Sequence, residues 1–324
     1  MRIIDIEAHW TTEAIDRALR AQPAELRDES VALNDRGDIP TRLFDIAEKR
    51  IEAMDATQID LQIFSIAPPA THGLPVPEAI ALSREANDHA SQAVDQYPSR
   101  LRAMTTLPMS DPEAALVELE RTANVSAHVG IMSYGRSGDR TLDDPAYDDL
   151  LAAAAGMGRP LFIHPQIPPN AVRSASYRGF DPIVELGLAT FGWGWHIEAA
   201  TAALRLIVRG TFDRNPDLQI VLGHWGELLL FWLDRIDSLS SVAHLERRVV
   251  EYFQTNIHIA SSGMLAPRLL SHALDFTTAD RILFSSDYPF HQLDASAIAD
   301  FLGDLPEDAR EKVAHTNAES LYDL

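Results

Sequence analysis

The chain has 324 residues, no cysteine, and 48 acidic against 27 basic residues, for a formal charge of −21. Disulfides and thiolate metal ligands are thereby excluded, and so acidic a chain with no basic cluster argues against nucleic acid as a partner. No apolar run approaches the roughly 18 residues of a membrane span, and the first residues enter a strand rather than a signal peptide. A cytoplasmic protein that acts on small molecules is expected.

The length suits a single domain over 1–324, a size α/β barrels reach. Residues 2–10 (RIIDIEAHW) read as a first strand. Residues 11–40 are polar and irregular, helical over 13–26, and are expected to form an insertion above that strand's end. A helix over 41–55 leads into a strand at 60–66, and a Pro-rich loop then precedes a helix over 77–97. In that helix Pro77 suits the first turn, and Ile80, Ala81, Ala86, Ala90 and Val94 keep helical spacing. A strand at 101–107 is followed by Ser110-Asp111-Pro112-Glu113, a helix start, with the helix running to Ala123. Strands at 129–133 and 159–165 flank a helix over 145–156. Residues 166–181 look irregular, and 183–210 helical but interrupted by Gly187, Gly192 and Gly194. A strand at 218–224, a helix over 226–239, and strands at 256–261 and 281–286 complete the pattern.

Eight strands alternating with helices fit a (β/α)8 barrel or an open doubly wound sheet. An open sheet binding at one switch point would want a Gly-rich phosphate loop after the first strand, and Glu7-Ala8-His9-Trp10 is unlike one. Polar residues end the first, fifth, sixth and eighth strands, and these ends face one another only if the sheet closes. The barrel is therefore expected.

Those ends deliver Glu7 and His9, which share a strand face, with His164, His224 and Asp287. Imidazole nitrogen and carboxylate oxygen suit a divalent metal such as Mn2+ or Zn2+, and Glu7, His9, His164 and Asp287 supply that set. The plainer alternatives are a helix cap for Asp287 and a buried salt bridge for Glu7. Neither accounts for four such residues at strand ends of one polarity. His196, His258 and His291 stay ambiguous. His72, His89, His128, His244, His272 and His315 receive no role.

The motifs LFIHP with His164, GTFDRNPDLQIVLGHWGE with His224 and Glu227, WLDRID with Arg235, and DRILFSSDYPF with Asp287 and Phe290 join the Glu-x-His of Glu7 and His9. In this order they resemble the amidohydrolase superfamily over essentially the full length. Within it they resemble the metal-dependent nonoxidative decarboxylases of γ-resorcylate, 2,3-dihydroxybenzoate and salicylate. The resemblance implies a barrel with one metal on Glu7, His9, His164 and Asp287. Two-metal members often use a carboxylated lysine on the fourth strand, but HVGIMS has none, and the only lysines are Lys49 and Lys312.

The resemblance further implies a carboxy-lyase whose small aromatic carboxylate substrate chelates the metal, with Asp287 protonating the ring carbon as CO2 leaves. His224 and Glu227 would orient substrate or relay the proton. Arg235 would clamp the carboxylate, against the alternative of a salt bridge to Asp234 or Asp237. Trp10, Trp225 and Phe290 would wall the ring. Relatives of this kind are commonly dimers or tetramers, so a homodimer or homotetramer is expected, with Trp193 and Trp195 near an interface. Gln166 and the MSYG at the fourth strand's end depart from the family where ring substituents are read. A metal-dependent hydrolase or hydratase on the same barrel is the alternative, with water rather than substrate in the open metal position.

Overall fold

The computed structural model describes all 324 residues. Eight parallel strands follow one another in chain order around a single sheet: β1 (Ile4–Trp10), β2 (Leu61–Ile66), β3 (Leu101–Thr106), β4 (His128–Tyr134), β5 (Leu161–His164), β6 (Ile220–Leu222), β7 (Ile257–Ala260) and β8 (Ile282–Leu283). Apart from half-buried Arg102 in β3, every strand residue is buried. Strands covered on both faces read as continuous apolar runs, which is why their sequences were recognisable. The ring closes just past β8: Ile6 N donates to Phe284 O at 3.3 Å, Asp287 N to Glu7 O at 2.9 Å and His9 N to Tyr288 O at 2.6 Å. The (β/α)8 barrel is thus the observed fold. One apolar cluster of 78 buried residues runs from Ile3 to Tyr322.

Helices form the outer layer. Val76–Gln96 buries Ala79, Ser83, Ala86, Asn87, Ala90, Ala93 and Val94, one stripe at helical spacing. Pro112–Thr122 starts where the Asp111 carboxylate accepts from Glu113 N and Ala114 N, both at 3.1 Å. No helix is long and apolar enough to cross a membrane.

Four segments depart from expectation. The helix over 13–26 ends at Ala21, because Gln22 precedes Pro23 and is pushed out of the helical region. The helix over 41–55 is two, Ile39–Leu43 and Glu48–Thr57, broken where the Asp45 carboxylate accepts from Ala47 N and Lys49 N. The 183–210 region is Pro182–Ala189 and Gly194–Val208; a Cβ at Gly194 would lie 2.5 Å from Ala189 O, so the crossing requires glycine. After β6 the chain makes a left-handed turn before the helix Leu229–Ile236 begins.

The 11–40 segment returns to the barrel's carboxyl end, where Thr11 N donates to Leu43 O at 2.9 Å. Its Glu29 accepts from Arg173 at 2.6 Å and Arg178 at 2.9 Å, which ties it to the segment after β5.

Candidate active site

Glu7 and His9 lie on one face of β1 and point into the barrel. His164 ends β5, and Asp287 follows β8 in a left-handed conformation, φ 58°, which turns its carboxylate inward. All four are buried, and their ligand atoms lie within 4.8 Å of one another. His9 Nε2 is 3.3 Å from Asp287 Oδ1, and His164 Nε2 is 4.0 Å from Glu7 Oε1.

The surroundings choose which atoms face the centre. His164 Nδ1 donates to Pro165 O at 2.7 Å, which leaves the Nε2 lone pair inward. Ser65 Oγ stands 3.3 Å from His9 Nδ1. Glu7 Oε2 accepts from Ser262 Oγ and, at 3.1 Å, from Ser285 Oγ. Glu7 Oε1 and His9 Nε2 are buried with no hydrogen-bond partner. Orphaned atoms of this kind, one carboxylate oxygen beside one imidazole nitrogen, fit a divalent cation among these four residues.

Electrostatics say the same. Burial, with the charge of Asp287, pushes the Glu7 carboxyl up to about 8, against the pull of His224 and Ser262. Burial, reinforced by His9, drives His164 down to about 3, so its ring is neutral. Burial alone would raise Asp287, but contact with His9 and the charges of His224 and His291 hold it below its ordinary value.

Beside this cluster lies a second one. The left-handed turn places His224 (φ 47°), Trp225 (φ 57°) and Glu227 (φ 53°) in conformations that local propensity does not favour. Tertiary contacts hold them: His224 N donates to Ser262 Oγ at 2.9 Å, and a Cβ at Gly226 would meet Ile259 at 3.1 Å. Glu227 is fully buried and accepts from His224 Nδ1 at 2.8 Å and from His196 Nδ1 at 2.7 Å. Burial works against a charged His224, yet Glu227, by charge and hydrogen bond, with Glu7 and Asp287, lifts it to about 9.

Phe290 reaches the site, its ring 5.7 Å from that of His9. Half-buried Trp195 joins it, 6.3 Å from His164, rather than lying on an open surface. Trp10 does not reach the cluster. It alternates with His9, so it faces the helix layer and packs on Phe64 and His89. Trp225 packs on Phe301 and donates to Met264 O at 2.7 Å, also away from the centre. Arg235 is exposed on the helix Leu229–Ile236, outside the buried cluster, and Asp237 pairs with Arg248 instead of with it. Gln166 Oε1 accepts from Arg136 N at 3.2 Å, and Tyr134, of the MSYG segment, lies 5.7 Å from His164. His291 Nε2 is 3.7 Å from Asp287 at the rim, whereas His258 contacts Arg281 near the start of β7.

The amidohydrolase family pattern matches residues 4–324. The chain belongs to the amidohydrolase family. It is 36% identical over 296 residues to the γ-resorcylate decarboxylase of Rhizobium radiobacter, covering 87% of this chain and 89% of that one. The solved 5-carboxyvanillate decarboxylase of Novosphingobium aromaticivorans, complexed with manganese, superposes with a TM-score of 0.91 at 29% identity, over 100% of this chain and 96% of that one. The dihydroxybenzoic acid decarboxylase of Polaromonas sp. JS666, with bound manganese and 2-nitroresorcinol, gives 0.84 at 31% identity, over 100% and 97%. With these relatives the chain shares its reaction type: it is a metal-dependent decarboxylase.

Proposed function

We propose that this decarboxylase removes CO2 from a small aromatic acid with a hydroxyl beside the carboxyl group, a hydroxybenzoate. The observation that carries this reading is the convergence of Glu7, His9, His164 and Asp287 on one buried point, with the His224–Glu227 pair acting on it. One divalent metal per chain, Mn2+ or Zn2+, would be held by those four residues and would supply the positive charge that binds adjacent carboxylate and phenolic oxygens.

The remaining work falls to the side chains. Phe290 and Trp195 flank the two histidines and offer faces for an aromatic ring. When the ring–carboxyl bond breaks, its electron pair stays on the ring carbon. A proton must arrive there or an aryl anion forms. We assign that proton to Asp287. Because Asp287 is held ionised, the proton has to be delivered to it, and His224, kept cationic beside Glu227, is the source. One proton is consumed and one CO2 released per turnover. Arg235, whose guanidinium pairs with no other side chain of the protein, is the proposed carboxylate contact.

We also propose a homo-oligomer, because Phe231 and Trp232, their rings 5.8 Å apart, are 71% and 59% exposed and large exposed apolar side chains in groups mark association surfaces. Sedimentation tests it; a monomer at micromolar concentration contradicts it. The function itself is tested by CO2 release from metal-loaded protein over hydroxybenzoate isomers. Acids with an ortho hydroxyl turn over and the meta and para isomers do not. Failure of every ortho-hydroxy acid contradicts the assignment.

A further inference from the structure

His196 opens the helix Gly194–Val208, on a different element from the metal cluster and from the His224 turn. Its Nδ1 lies 2.7 Å from Glu227 Oε2, while His224 Nδ1 lies 2.8 Å from Oε1 of the same carboxylate. The two imidazole rings meet edge to face, centroids 4.6 Å apart. A fully buried glutamate is thus gripped at both oxygens by imidazole nitrogens from two elements.

The other side of the His196 ring fixes its protonation at Nδ1. Nε2 has Trp195 Nε1 at 3.1 Å and Phe191 O at 3.1 Å. An indole N–H only donates. If it donates to Nε2, the single proton of the neutral ring is on Nδ1; if Nε2 instead donates to the Phe191 carbonyl, the Glu227 carboxylate 2.7 Å from Nδ1, which can only accept, still calls for a proton there. In both cases Nδ1–H donates to Glu227. The same carboxylate then accepts from His224 Nδ1–H, which leaves His224 Nε2 as the atom free to face the reaction.

We propose that His196 is a positioning residue: by anchoring Glu227 Oε2 it fixes the carboxylate that orients His224, so that Glu227 serves a three-membered relay, His196–Glu227–His224. Without the anchor, Oε2 is a buried, unpartnered acceptor, and the carboxylate rotates to share its oxygens with His224 in more than one way. The ring of His224 loses its fixed direction. Partners that orient a functional histidine in this way are typically worth a factor of about 10 to 100.

The test compares His196→Ala, His196→Asn and His196→Gln in the full-length, Zn2+-loaded protein. The side-chain amide of Asn reaches the position of Nδ1, and that of Gln the position of Nε2, so only Asn restores the bond to Glu227. Expected are a kcat about tenfold lower for Ala and Gln with KM and metal content within about twofold, and recovery to within about threefold for Asn. Imidazole nitrogen NMR reads the same claim without substrate: the His224 Nδ1–H signal, slow to exchange in wild type and His196→Asn, weakens in His196→Ala and His196→Gln. The kcat arm rests on the decarboxylase assignment and the spectrum does not. If no acid is turned over, that assignment falls while the spectrum still decides the positioning. An unchanged His224 signal in His196→Ala, a wild-type kcat in that variant, or rescue by Gln equal to that by Asn overturns the proposal.

Discussion

Ser262 donates its hydroxyl to Glu7 Oε2 across the barrel, from the end of β7 to the side chain of β1, and thereby leaves Oε1 as the oxygen turned to the centre. Removing that contact frees the carboxylate to rotate. Ser262→Ala should weaken Mn2+ or Zn2+ affinity by about 10- to 100-fold, read by competition with a chelating dye. His164→Ala and Asp287→Ala should empty the site outright in elemental analysis. Full metal content in both would place the ligands elsewhere.

Metal-free protein should lose stability as the pH rises. The folded-state value of Glu7, about 8, lies above its ordinary 4.5, and that of His224, about 9, above 6.5. Each binds a proton more tightly folded than unfolded, so each contributes stability that is complete below its ordinary value and lost as the pH climbs through the folded one. His164, lowered to about 3, works the other way, but its effect is finished by about 6.5. Between about pH 6.5 and 9 the Tm of the metal-free form falls, and saturating metal, which favours ionised Glu7, removes most of the fall. A metal-free Tm that rises across this window contradicts the electrostatics described.

Asp287→Asn separates proton donation from metal binding. The amide oxygen still offers a ligand but no acidic proton. In protein reloaded to full metal content, turnover should fall by about 10²- to 10⁴-fold, the range for loss of a general acid. Turnover near wild type would transfer the donor role to His224.

The barrel was legible because each strand is covered on both faces, and Glu7, His9, His164 and Asp287 because they lie toward, at or just past the carboxyl ends of such strands. Alternation along β1 also carried information that went unused. Trp10 shares no face with His9 and so packs outward, while the register between β1 and β2 shifts between Asp5 and Ala8, so that fully buried Asp5 pairs with Gln62 and accepts from Ser286 N at 2.8 Å and Gln62 Nε2 at 2.8 Å. The turn at His224 was hidden. Positive φ at His224, Trp225 and Glu227 is imposed by Ser262 and by the close approach at Gly226, and no local preference announces it. His196 was equally hidden, since its partner Glu227 comes from another element 31 residues on. Ser262 and Ser285 are unremarked serines until Glu7 lies between them.

Arg235 is tested by the charge of the ligand. If it meets the substrate carboxylate, Arg235→Ala raises KM for hydroxybenzoates about tenfold or more, as expected for a charged hydrogen bond, and leaves inhibition by neutral phenols unchanged. Equal effects on acids and phenols would mark it as a surface charge on the helix Leu229–Ile236.

The central claim, protonation of a ring carbon as CO2 departs, is read most directly in D2O. The new hydrogen comes from an acid in exchange with solvent, so the product carries one deuterium at the carbon that bore the carboxyl group, with CO2 released in equal amount. Hydrolysis of a lactone or amide leaves carbon–hydrogen bonds untouched. The account predicts stoichiometric deuterium at that single position by NMR and mass spectrometry; product without ring deuterium or without CO2 would contradict it.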